Sequence, residues 1–226
     1  MSHRDIILKD GYTILPTFFT PDQVVEMKKL DLATKPESGH HRLYGWSADK
    51  VYPRKEYVHY WSEQIRDKTI SIQDILQPII MDVMQENYQW FCADFHVVNP
   101  GSDYMHAHID TPYQFGPWKH ITELIAVQCL IAVDDFTHEN GGTRIVPGSH
   151  RDDVPVNTIG NDDLNDKLIV EGSNFIAPAG SIIIYHPRTL HSTMPNSTNK
   201  SRSALLMCAV RPDIIDSLRH YQPKCV

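Results

Sequence analysis

The sequence predicts a mainly β fold with flanking α-helices, built as an antiparallel barrel or jelly roll. Six short runs rich in β-branched and aromatic residues occupy the second part of the chain, separated by turns rich in glycine and proline. Two amphipathic helical patterns precede them. A length of 226 residues is ordinary for one barrel or sandwich, so we expect a single domain over residues 1–226. The predicted strands are Phe91–Val98, Glu123–Val133, Thr143–Val146, Asn174–Ile176, Ser181–Tyr185 and Ser203–Val210.

The N-terminal part of the chain predicts a strand followed by a helix. Residues 11–15 form a short apolar run that favours a strand. Thr20 and Gln23 have the spacing of a capping box, and Pro21 fits the first helical position. The apolar helical pattern that follows continues toward Pro36, where we expect the helix to end.

A second helix is predicted over residues 74–88, directly before the strands. Its apolar residues recur at helical spacing, and we expect Pro78 in its first turn. Residues 39–61, between the two helices, are dense in aromatic and basic side chains without a clear period. This stretch is either a surface segment with scattered packing or a lid or wall of a substrate pocket.

The charge and cysteine content restrict the functional classes. The 21 basic and 28 acidic residues give a net charge of −7, which argues against a nucleic-acid groove and an anionic membrane surface. The longest apolar run, Ile125–Val133, is far shorter than the about 18 residues that span a bilayer, and no secretory leader is recognisable. The four cysteines form no CxxC pair and lie mostly in apolar runs, as expected for buried thiols in a reducing compartment. We therefore expect a cytoplasmic protein.

The chain contains 13 histidines, so the position of each has to indicate its role. A His-x-Asp pair places two metal ligands on one face of a strand, because side chains two apart point the same way. The pattern occurs at residues 3–5, which we expect at a mobile terminus, and at residues 150–152, which lead into an acidic loop. The third pair, His108 and Asp110, follows a Pro-Gly turn and precedes another histidine-rich strand end. Only this third pair has a credible third ligand.

Two histidines could supply that third ligand. His186 and His191 both lie at the end of a predicted strand, and spacing alone does not choose between them. His106 could likewise replace His108, since both share a face with Asp110. We expect His106 and His186 to be packed or supporting residues. Two histidines and one carboxylate form the ligand set that holds Fe(II) and leaves open positions for a cosubstrate and dioxygen.

Short motifs with a characteristic order are distributed along residues 8–211. They are Asp10-Gly11-Tyr12, Leu15-Pro16, Phe19, Asn99-Pro100-Gly101, His108-x-Asp110, Glu139-Asn140-Gly141-Gly142, Pro147-Gly148-Ser149-His150-Arg151, Gly180-Ser181, His191, Asn196 and Arg202. In this set the chain resembles the phytanoyl-CoA dioxygenase-like family of Fe(II)/2-oxoglutarate oxygenases. The resemblance implies a double-stranded β-helix (jelly-roll or cupin-like) core, and departs from the family pattern in Ile109 and in the His-Ser-Thr at 191–193.

The resemblance also implies the roles of individual residues. The family's distal iron ligand is followed eleven residues later by an arginine that binds the cosubstrate, and His191 and Arg202 have this spacing, whereas His186 does not. The metal ligands are therefore expected to be His108, Asp110 and His191. Thr193 is expected to add a hydroxyl beside the cosubstrate carboxylate, which the guanidinium of Arg202 suits as a planar partner.

Further pocket residues are predicted from their positions. Gln128, the one polar residue in its apolar run, is either a hydrogen-bonded core amide or a cosubstrate contact. The family usually lines its substrate pocket directly after the His-x-Asp strand, which gives Tyr113, Gln114 and Trp118 as candidates for substrate binding. Arg144 either reaches inward toward substrate or is a structural arginine.

The resemblance implies an enzyme that uses Fe(II), 2-oxoglutarate and dioxygen, with ascorbate as a candidate reductant. Related halogenating enzymes have Gly or Ala at the carboxylate position, so Asp110 implies hydroxylation or another oxidation of a small-molecule substrate with release of succinate and CO2. The shortness of the chain disfavours a large acyl-carrier substrate. Two other interpretations stay open: a non-catalytic ligand-binding barrel, and a zinc hydrolase that uses the same ligands and has no task for Arg202. The sequence indicates no oligomeric state.

Overall fold

The computed structural model describes residues 1–34, 59–61, 65–114, 116–153 and 161–221, and in them two antiparallel sheets carry flanking helices. The helices are α1 (His3–Asp10), α2 (Pro21–Thr34), α3 (Ile70–Met84), α4 (Asp162–Glu171) and α5 (Pro212–Tyr221). The strands are β1 (Tyr12–Leu15), β2 (His59–Trp61), β3 (Gln89–Val98), β4 (Ala126–Ala132), β5 (Thr143–Ile145), β6 (Ser173–Asn174), β7 (Ile182–Tyr185), β8 (His191–Thr193) and β9 (Arg202–Val210).

The two sheets have the connectivity of a jelly roll. The larger sheet has the strand order β1-β7-β4-β9-β3-β2, and the smaller one has the order β6-β5-β8. The longest pairing joins β3 to β9, from Gln89 opposite Val210 to Val98 opposite Arg202. Consecutive strands of the chain repeatedly lie in different sheets or at non-adjacent positions, as in a double-stranded β-helix. The predicted fold class is therefore confirmed.

The two faces of the larger sheet bury different partners, because successive side chains of a strand point to opposite sides. On the outer face, Cys129 and Ile131 of β4 belong to a core cluster with Leu76 of α3. On the inner face, Leu130 packs in a cluster that includes Ile145 of the smaller sheet. Helices α1, α2 and α3 thus cover the outside of the larger sheet, whereas α4 and α5 pack in a separate cluster with Ala126, Cys208 and Val210. The inner face and the smaller sheet enclose the space in which the functional side chains lie.

The N-terminus is an ordered helix, which corrects the expectation of a mobile segment around His3. Ser2 and Asp5 form a reciprocal capping box, with the Ser2 amide donating to Asp5 Oδ2 at 2.9 Å and the Asp5 amide to Ser2 Oγ at 3.1 Å. Ile7 is fully buried in the outer core. Gly11 ends the helix in the left-handed region, and its amide donates to the Ile7 carbonyl.

The two predicted helices are present with different bounds. The capping box of α2 is confirmed, since the Thr20 amide donates to Gln23 Oε1 at 2.8 Å and the Gln23 amide to Thr20 Oγ1 at 3.3 Å. However, α3 runs over Ile70–Met84 and not over 74–88, so Pro78 lies inside the helix and not in its first turn. The helix ends earlier than predicted because Gln85 takes a left-handed conformation, with φ of 55°.

Sequence patterns missed three of the described helices, α1, α4 and α5, and displaced one strand. In α4 the side chain of Asn161 caps the first turn by accepting from the Leu164 amide at 3.2 Å. The strand predicted at 174–176 is instead the shorter β6 at 173–174. Of the aromatic and basic segment 39–61, residues 59–61 form β2. Residues 39–58, for which a lid or pocket wall was one interpretation, lie outside the described residues. In the described part of the chain, no helix is long and apolar enough to cross a membrane. As expected, Cys129 and Cys208 are buried free thiols.

Candidate metal and cosubstrate site

Backbone pairing brings the His-x-Asp segment against β8. The His108 amide donates to the His191 carbonyl and the His191 amide to the His108 carbonyl, each at 3.0 Å. Two residues on, the Asp110 amide donates to the Pro187 carbonyl at 2.7 Å. Because main-chain hydrogen bonds fix this register, the three side chains meet although 81 residues separate Asp110 from His191.

The three predicted ligands form one compact cluster. His108 Nε2 lies 3.7 Å from Asp110 Oδ1, and His191 Nε2 lies 3.4 Å from Asp110 Oδ2. One ligand atom from each residue lies within 4.8 Å of the others, a spacing that could hold a single metal ion. The side chains of His108 and Asp110 are 17% and 16% exposed, so the cluster is reachable from outside the core.

Both imidazoles present the correct nitrogen to a metal. His108 Nδ1 lies 2.9 Å from the His106 carbonyl, and His191 Nδ1 lies 3.0 Å from the Thr189 carbonyl. A carbonyl only accepts, so each Nδ1 carries the proton and each Nε2 keeps its lone pair. Burial, with smaller contributions from His191 and His106, holds the pKa of His108 well below its usual value. Neutral imidazoles and one carboxylate with supported orientations fit Fe(II).

Tyr185, at the end of β7, also reaches this cluster and was missed by the sequence patterns. Its hydroxyl donates to Asp110 Oδ2 at 2.8 Å and lies 3.4 Å from His191 Nε2. The residue is 2% exposed, and burial first, then the charge of Asp110, raises its pKa well above the ordinary value. The sequence feature that could have indicated this role is the position of Tyr185 directly after the apolar run Ile182-Ile183-Ile184.

His106 and His186, the alternative ligands, lie outside the cluster. His106 contributes its backbone carbonyl to His108, and its ring lies 5.7 Å from that of His108. His186 is fully buried; its Nδ1 accepts from the Arg188 amide at 3.1 Å, and its ring lies 4.9 Å from that of Tyr113. Burial is the main cause that lowers the pKa of His186 to about 3. Both residues are packed, as expected.

The other two His-x-Asp pairs use their histidines structurally. His150 Nε2 lies 3.1 Å from the Leu8 carbonyl at the end of α1. His3 Nδ1 lies 3.3 Å from Thr13 Oγ1, on the helix that the sequence patterns missed. Among the described residues, neither histidine belongs to a group that could hold a metal ion.

Arg202 lies on the inner face at the start of β9 and is 1% exposed. Its Nη2 donates to the Gly141 carbonyl, and its guanidinium carbon lies 4.4 Å from the centre of the Phe136 ring. Gly141 has φ of +80°, and a Cβ there would lie 2.7 Å from Val98 Cγ1, so glycine is needed for this approach. The charge is thus held between the two sheets and not in bulk solvent.

The turn between β8 and β9 accounts for the spacing of His191 and Arg202. Asn196 is fully buried, and its Nδ2 donates to the Val98 and Lys200 carbonyls, each at 2.9 Å. Its Oδ1 accepts from the hydroxyl of Thr198 at 2.7 Å. These bonds fix the length and shape of the turn, and with it the position of Arg202 relative to His191.

The two other predicted cosubstrate contacts lie on the inner faces. Thr193 is 5% exposed and shares the inward face of β8 with His191, because the two residues are two apart. Gln128 is 4% exposed and lies opposite Tyr185 in the sheet register. Its Oε1 is buried and accepts no hydrogen bond from the described residues.

The predicted substrate residues after the His-x-Asp segment differ in their surroundings. Tyr113 is fully buried; its hydroxyl donates to the Glu123 carbonyl at 2.5 Å and accepts from the Ile125 amide at 3.0 Å. Trp118 is 5% exposed and packs in the same apolar cluster as Tyr113. Gln114 is half-buried, and its backbone N–H donates to the backbone carbonyl of Asp110 at 3.3 Å. Of the three, only Gln114 combines exposure with a direct link to Asp110.

Of the two alternatives open for Arg144, inward reach or a structural role, its contacts correspond to the structural one. Its Nε and Nη2 donate to the carbonyls of Leu168 and Ile169 at the end of α4, each at 2.8 Å, and its Nη1 donates to Asn174 Oδ1 at 2.7 Å. The side chain therefore points out of the barrel and holds the end of a helix, which is the structural alternative stated for it above.

Comparisons with known proteins agree with this geometry. A sequence model of the phytanoyl-CoA dioxygenase family matches residues 7–204. A probable alpha-ketoglutarate-dependent hypophosphite dioxygenase of Stutzerimonas stutzeri is 23% identical over 220 residues, which cover 88% of this chain and 74% of the relative. The dioxygenase lolE1 of Epichloe uncinata is 34% identical over 82 residues, which cover 35% of this chain but only 31% of that protein.

A solved structure extends the likeness to the fold. The non-heme alpha ketoglutarate dependent epimerase SnoN from nogalamycin biosynthesis superimposes with a TM-score of 0.72 at 18% identity, over 99% of this chain and 89% of SnoN. SnoN has also been solved in complex with Fe3+, alpha ketoglutarate and nogalamycin RO. At this identity the likeness establishes the double-stranded β-helix fold.

Proposed function

The chain belongs to the phytanoyl-CoA dioxygenase family of Fe(II)/2-oxoglutarate-dependent dioxygenases, and on this premise we propose that it hydroxylates a small molecule at the site formed by His108, Asp110 and His191. The observation that carries the proposal is the convergence of these three side chains within 4.8 Å, with both imidazoles oriented through their Nδ1 atoms. The named relatives are dioxygenases, so neither a non-catalytic barrel nor a zinc hydrolase is favoured.

Fe(II) would be held by His108 Nε2, His191 Nε2 and a carboxylate oxygen of Asp110. With 2-oxoglutarate and dioxygen, iron at this site would supply an oxidation in which one oxygen atom enters the substrate as a hydroxyl group and the other enters succinate, with loss of CO2. The protein's own contribution is positioning, because a misplacement of about 1 Å costs about a hundredfold in rate. The main-chain hydrogen bonds between residues 108 and 191 fix the positions of the proposed ligands relative to one another.

We assign Arg202 to the distal carboxylate of 2-oxoglutarate. A buried carboxylate is costly unless it is paired, and a planar guanidinium can donate two parallel hydrogen bonds to it. Arg202 is itself buried on the inner face, and Thr193 adds a hydroxyl from β8. Gln128 presents a buried amide oxygen on the same face, beside Tyr185. These features support one cosubstrate chamber between the sheets.

We assign the substrate to the side of the cluster near Gln114. This residue is half-buried in the turn after Asp110, and Trp118 follows it in the chain. The S. stutzeri relative is named for hypophosphite and SnoN has been solved with nogalamycin RO, so a small-molecule substrate is consistent with both proteins. The buried free thiols of Cys129 and Cys208 support a reducing, cytoplasmic location.

Replacement of Arg202 tests the cosubstrate assignment. Removing one partner of a buried charge pair costs about 2–5 kcal/mol, so Arg202→Ala should raise the dissociation constant of 2-oxoglutarate at least about 30-fold. The measurement is calorimetric titration of the Mn(II)-loaded protein with 2-oxoglutarate under anaerobic conditions. Arg211→Ala is the matched control, since Arg211 follows the same strand and pairs with Asp213 on the surface.

Succinate formation completes this test. Wild-type protein with Fe(II), ascorbate and 2-oxoglutarate should release succinate, and a screen of amino acids, their derivatives and small hydroxy acids should find compounds that accelerate the release. Equal affinity of wild type and Arg202→Ala for 2-oxoglutarate would contradict the assignment of Arg202. Metal-dependent hydrolysis without oxygen would contradict the proposed reaction.

A further inference from the structure

The phenol of Tyr185 touches the proposed metal ligands without being one of them. Its oxygen is 2.8 Å from Asp110 Oδ2 and 3.4 Å from His191 Nε2. The other oxygen, Asp110 Oδ1, is the one near His108 Nε2, at 3.7 Å. Each oxygen faces one imidazole, since Asp110 Oδ2 also lies 3.4 Å from His191 Nε2. What distinguishes the two oxygens among the described residues is the hydrogen bond that Oδ2 accepts from Tyr185.

The position of Tyr185 is set by the sheet and not by a mobile loop. It is the last residue of β7, where it lies opposite Tyr12 of β1 on one side and Gln128 of β4 on the other. The residue is 2% exposed, and its ring lies 4.9 Å from that of His191. A phenol held on both sides by strands keeps its hydroxyl at a fixed distance from Asp110.

An ionised carboxylate only accepts hydrogen bonds, so the hydroxyl of Tyr185 is the donor in this pair. A hydrogen bond to a charged acceptor is roughly twice as strong as a neutral one. An oxygen that accepts such a bond is less available to a metal, while Oδ1 keeps its lone pairs. A carboxylate that bound through both oxygens would occupy one of the positions that 2-oxoglutarate and dioxygen require.

We propose that Tyr185 is a positioning residue that holds Asp110 as a ligand through one oxygen only. The inference rests on the proposed function, because it takes Asp110 as a metal ligand. It adds a specific task for a residue outside the ligand set: the phenol fixes Oδ2, directs Oδ1 to the metal, and so keeps a coordination position open for the cosubstrate.

The test compares Tyr185→Phe with Tyr12→Phe by anaerobic titration with Co(II) in place of Fe(II). Loss of an outer hydrogen-bond partner of a metal ligand weakens metal binding about 10–100-fold, and we expect this for Tyr185→Phe. Tyr12→Phe is the matched control, because it removes a hydroxyl from the residue opposite Tyr185 in the neighbouring strand. We also expect a changed visible Co(II) spectrum and weaker 2-oxoglutarate binding in Tyr185→Phe alone.

Three results would overturn the inference. Equal Co(II) affinity and spectra for wild type and Tyr185→Phe would remove the positioning role and leave the proposed function standing. Absence of Co(II) binding to the wild type would instead remove the metal site itself. A phenolate-to-iron charge-transfer band in the Fe(III) protein, lost in Tyr185→Phe, would make Tyr185 a direct ligand.

A second measurement decides the matter if Tyr185→Phe does not fold. In a crystal structure of the Mn(II)-loaded wild type, we expect Asp110 to bind the metal through one oxygen and the other oxygen to stay within hydrogen-bond distance of Tyr185. An Asp110 bound through both oxygens, or a metal bound to the Tyr185 oxygen, would overturn the inference.

Discussion

Two histidine clusters lie in the part of the chain that the structure describes, and they use the same side chain in opposite ways. In the metal-site cluster, defined by His108, Asp110 and His191, both rings bind backbone carbonyls through Nδ1 and turn Nε2 toward a carboxylate. In the structural cluster, defined by His150 and His186, the rings lie 5.2 Å apart, and each has a ring nitrogen on the protein backbone.

The difference indicates what separates the proposed ligand histidines from packed ones. Burial is common to both clusters and lowers the pKa of His108 and of His186 alike. What separates them is a carboxylate: His191 Nε2 lies 3.4 Å from Asp110 Oδ2, whereas His186 packs against the ring of Tyr113. A count of histidines, or their burial alone, does not distinguish a metal site from a packed core.

The largest expected effect comes from removing the carboxylate. Asp110→Ala should lower iron-dependent succinate formation at least about a hundredfold, because loss of even an outer partner of a ligand costs about 10–100-fold in metal affinity or activity. The free energy of unfolding of the metal-free protein should change far less, since Asp110 contributes one side-chain hydrogen bond, from Tyr185. Succinate assay and urea denaturation measure the two quantities. Full activity in this variant would mean that iron is held elsewhere.

Substitution in the structural cluster should have a smaller effect, and this effect should appear in the free energy of unfolding and not in activity. His186 has a pKa of about 3 in the folded protein, where His150, Arg188 and Tyr113 surround it, so its ring stays neutral there. In the unfolded state the same ring takes up a proton near pH 6.5. The unfolded state therefore binds more protons between these values, so the free energy of unfolding falls as the pH falls below about 6.5. The slope is at most about 1.4 kcal/mol per pH unit, and the contribution vanishes at higher pH.

The variant His186→Asn should reduce that slope. Its amide oxygen can still accept from the Arg188 amide, but the side chain no longer titrates. Urea denaturation of wild type and variant at pH 5 and pH 7.5 measures the difference, and other histidines contribute equally to both proteins. Succinate formation at pH 7.5 should stay at the wild-type level. Identical pH slopes would contradict a neutral, buried His186.

The parts predicted well from the sequence are those encoded locally. The capping box of Thr20 and Gln23 needs only three residues of spacing, and the side-chain alternation that joins His108 to Asp110 needs only two. The choice of His191 over His186 came from the family spacing to Arg202. The structure supplies a physical reason for that spacing in the turn that Asn196 holds.

The parts that were missed depend on contacts distant in sequence. Tyr185 reaches Asp110 across 75 residues, and no local pattern encodes that approach. The sequence left two alternatives open for Arg144, an inward reach or a structural role, because its partners on α4 lie 24 and 25 residues further along the chain. The sheet register does carry the information: Ile145 pairs with His191, so Arg144 between Thr143 and Ile145 has to point outward.

The most direct test of the account is the metal stoichiometry of the two histidine clusters. Anaerobic titration with Co(II), followed by visible absorption, should give one bound metal per chain in wild type and in His186→Asn. The same titration should show lost or strongly weakened binding in His108→Ala, Asp110→Ala and His191→Ala. Wild-type binding in these three variants, or its loss in His186→Asn with the fold intact, would contradict the assignment of the metal site.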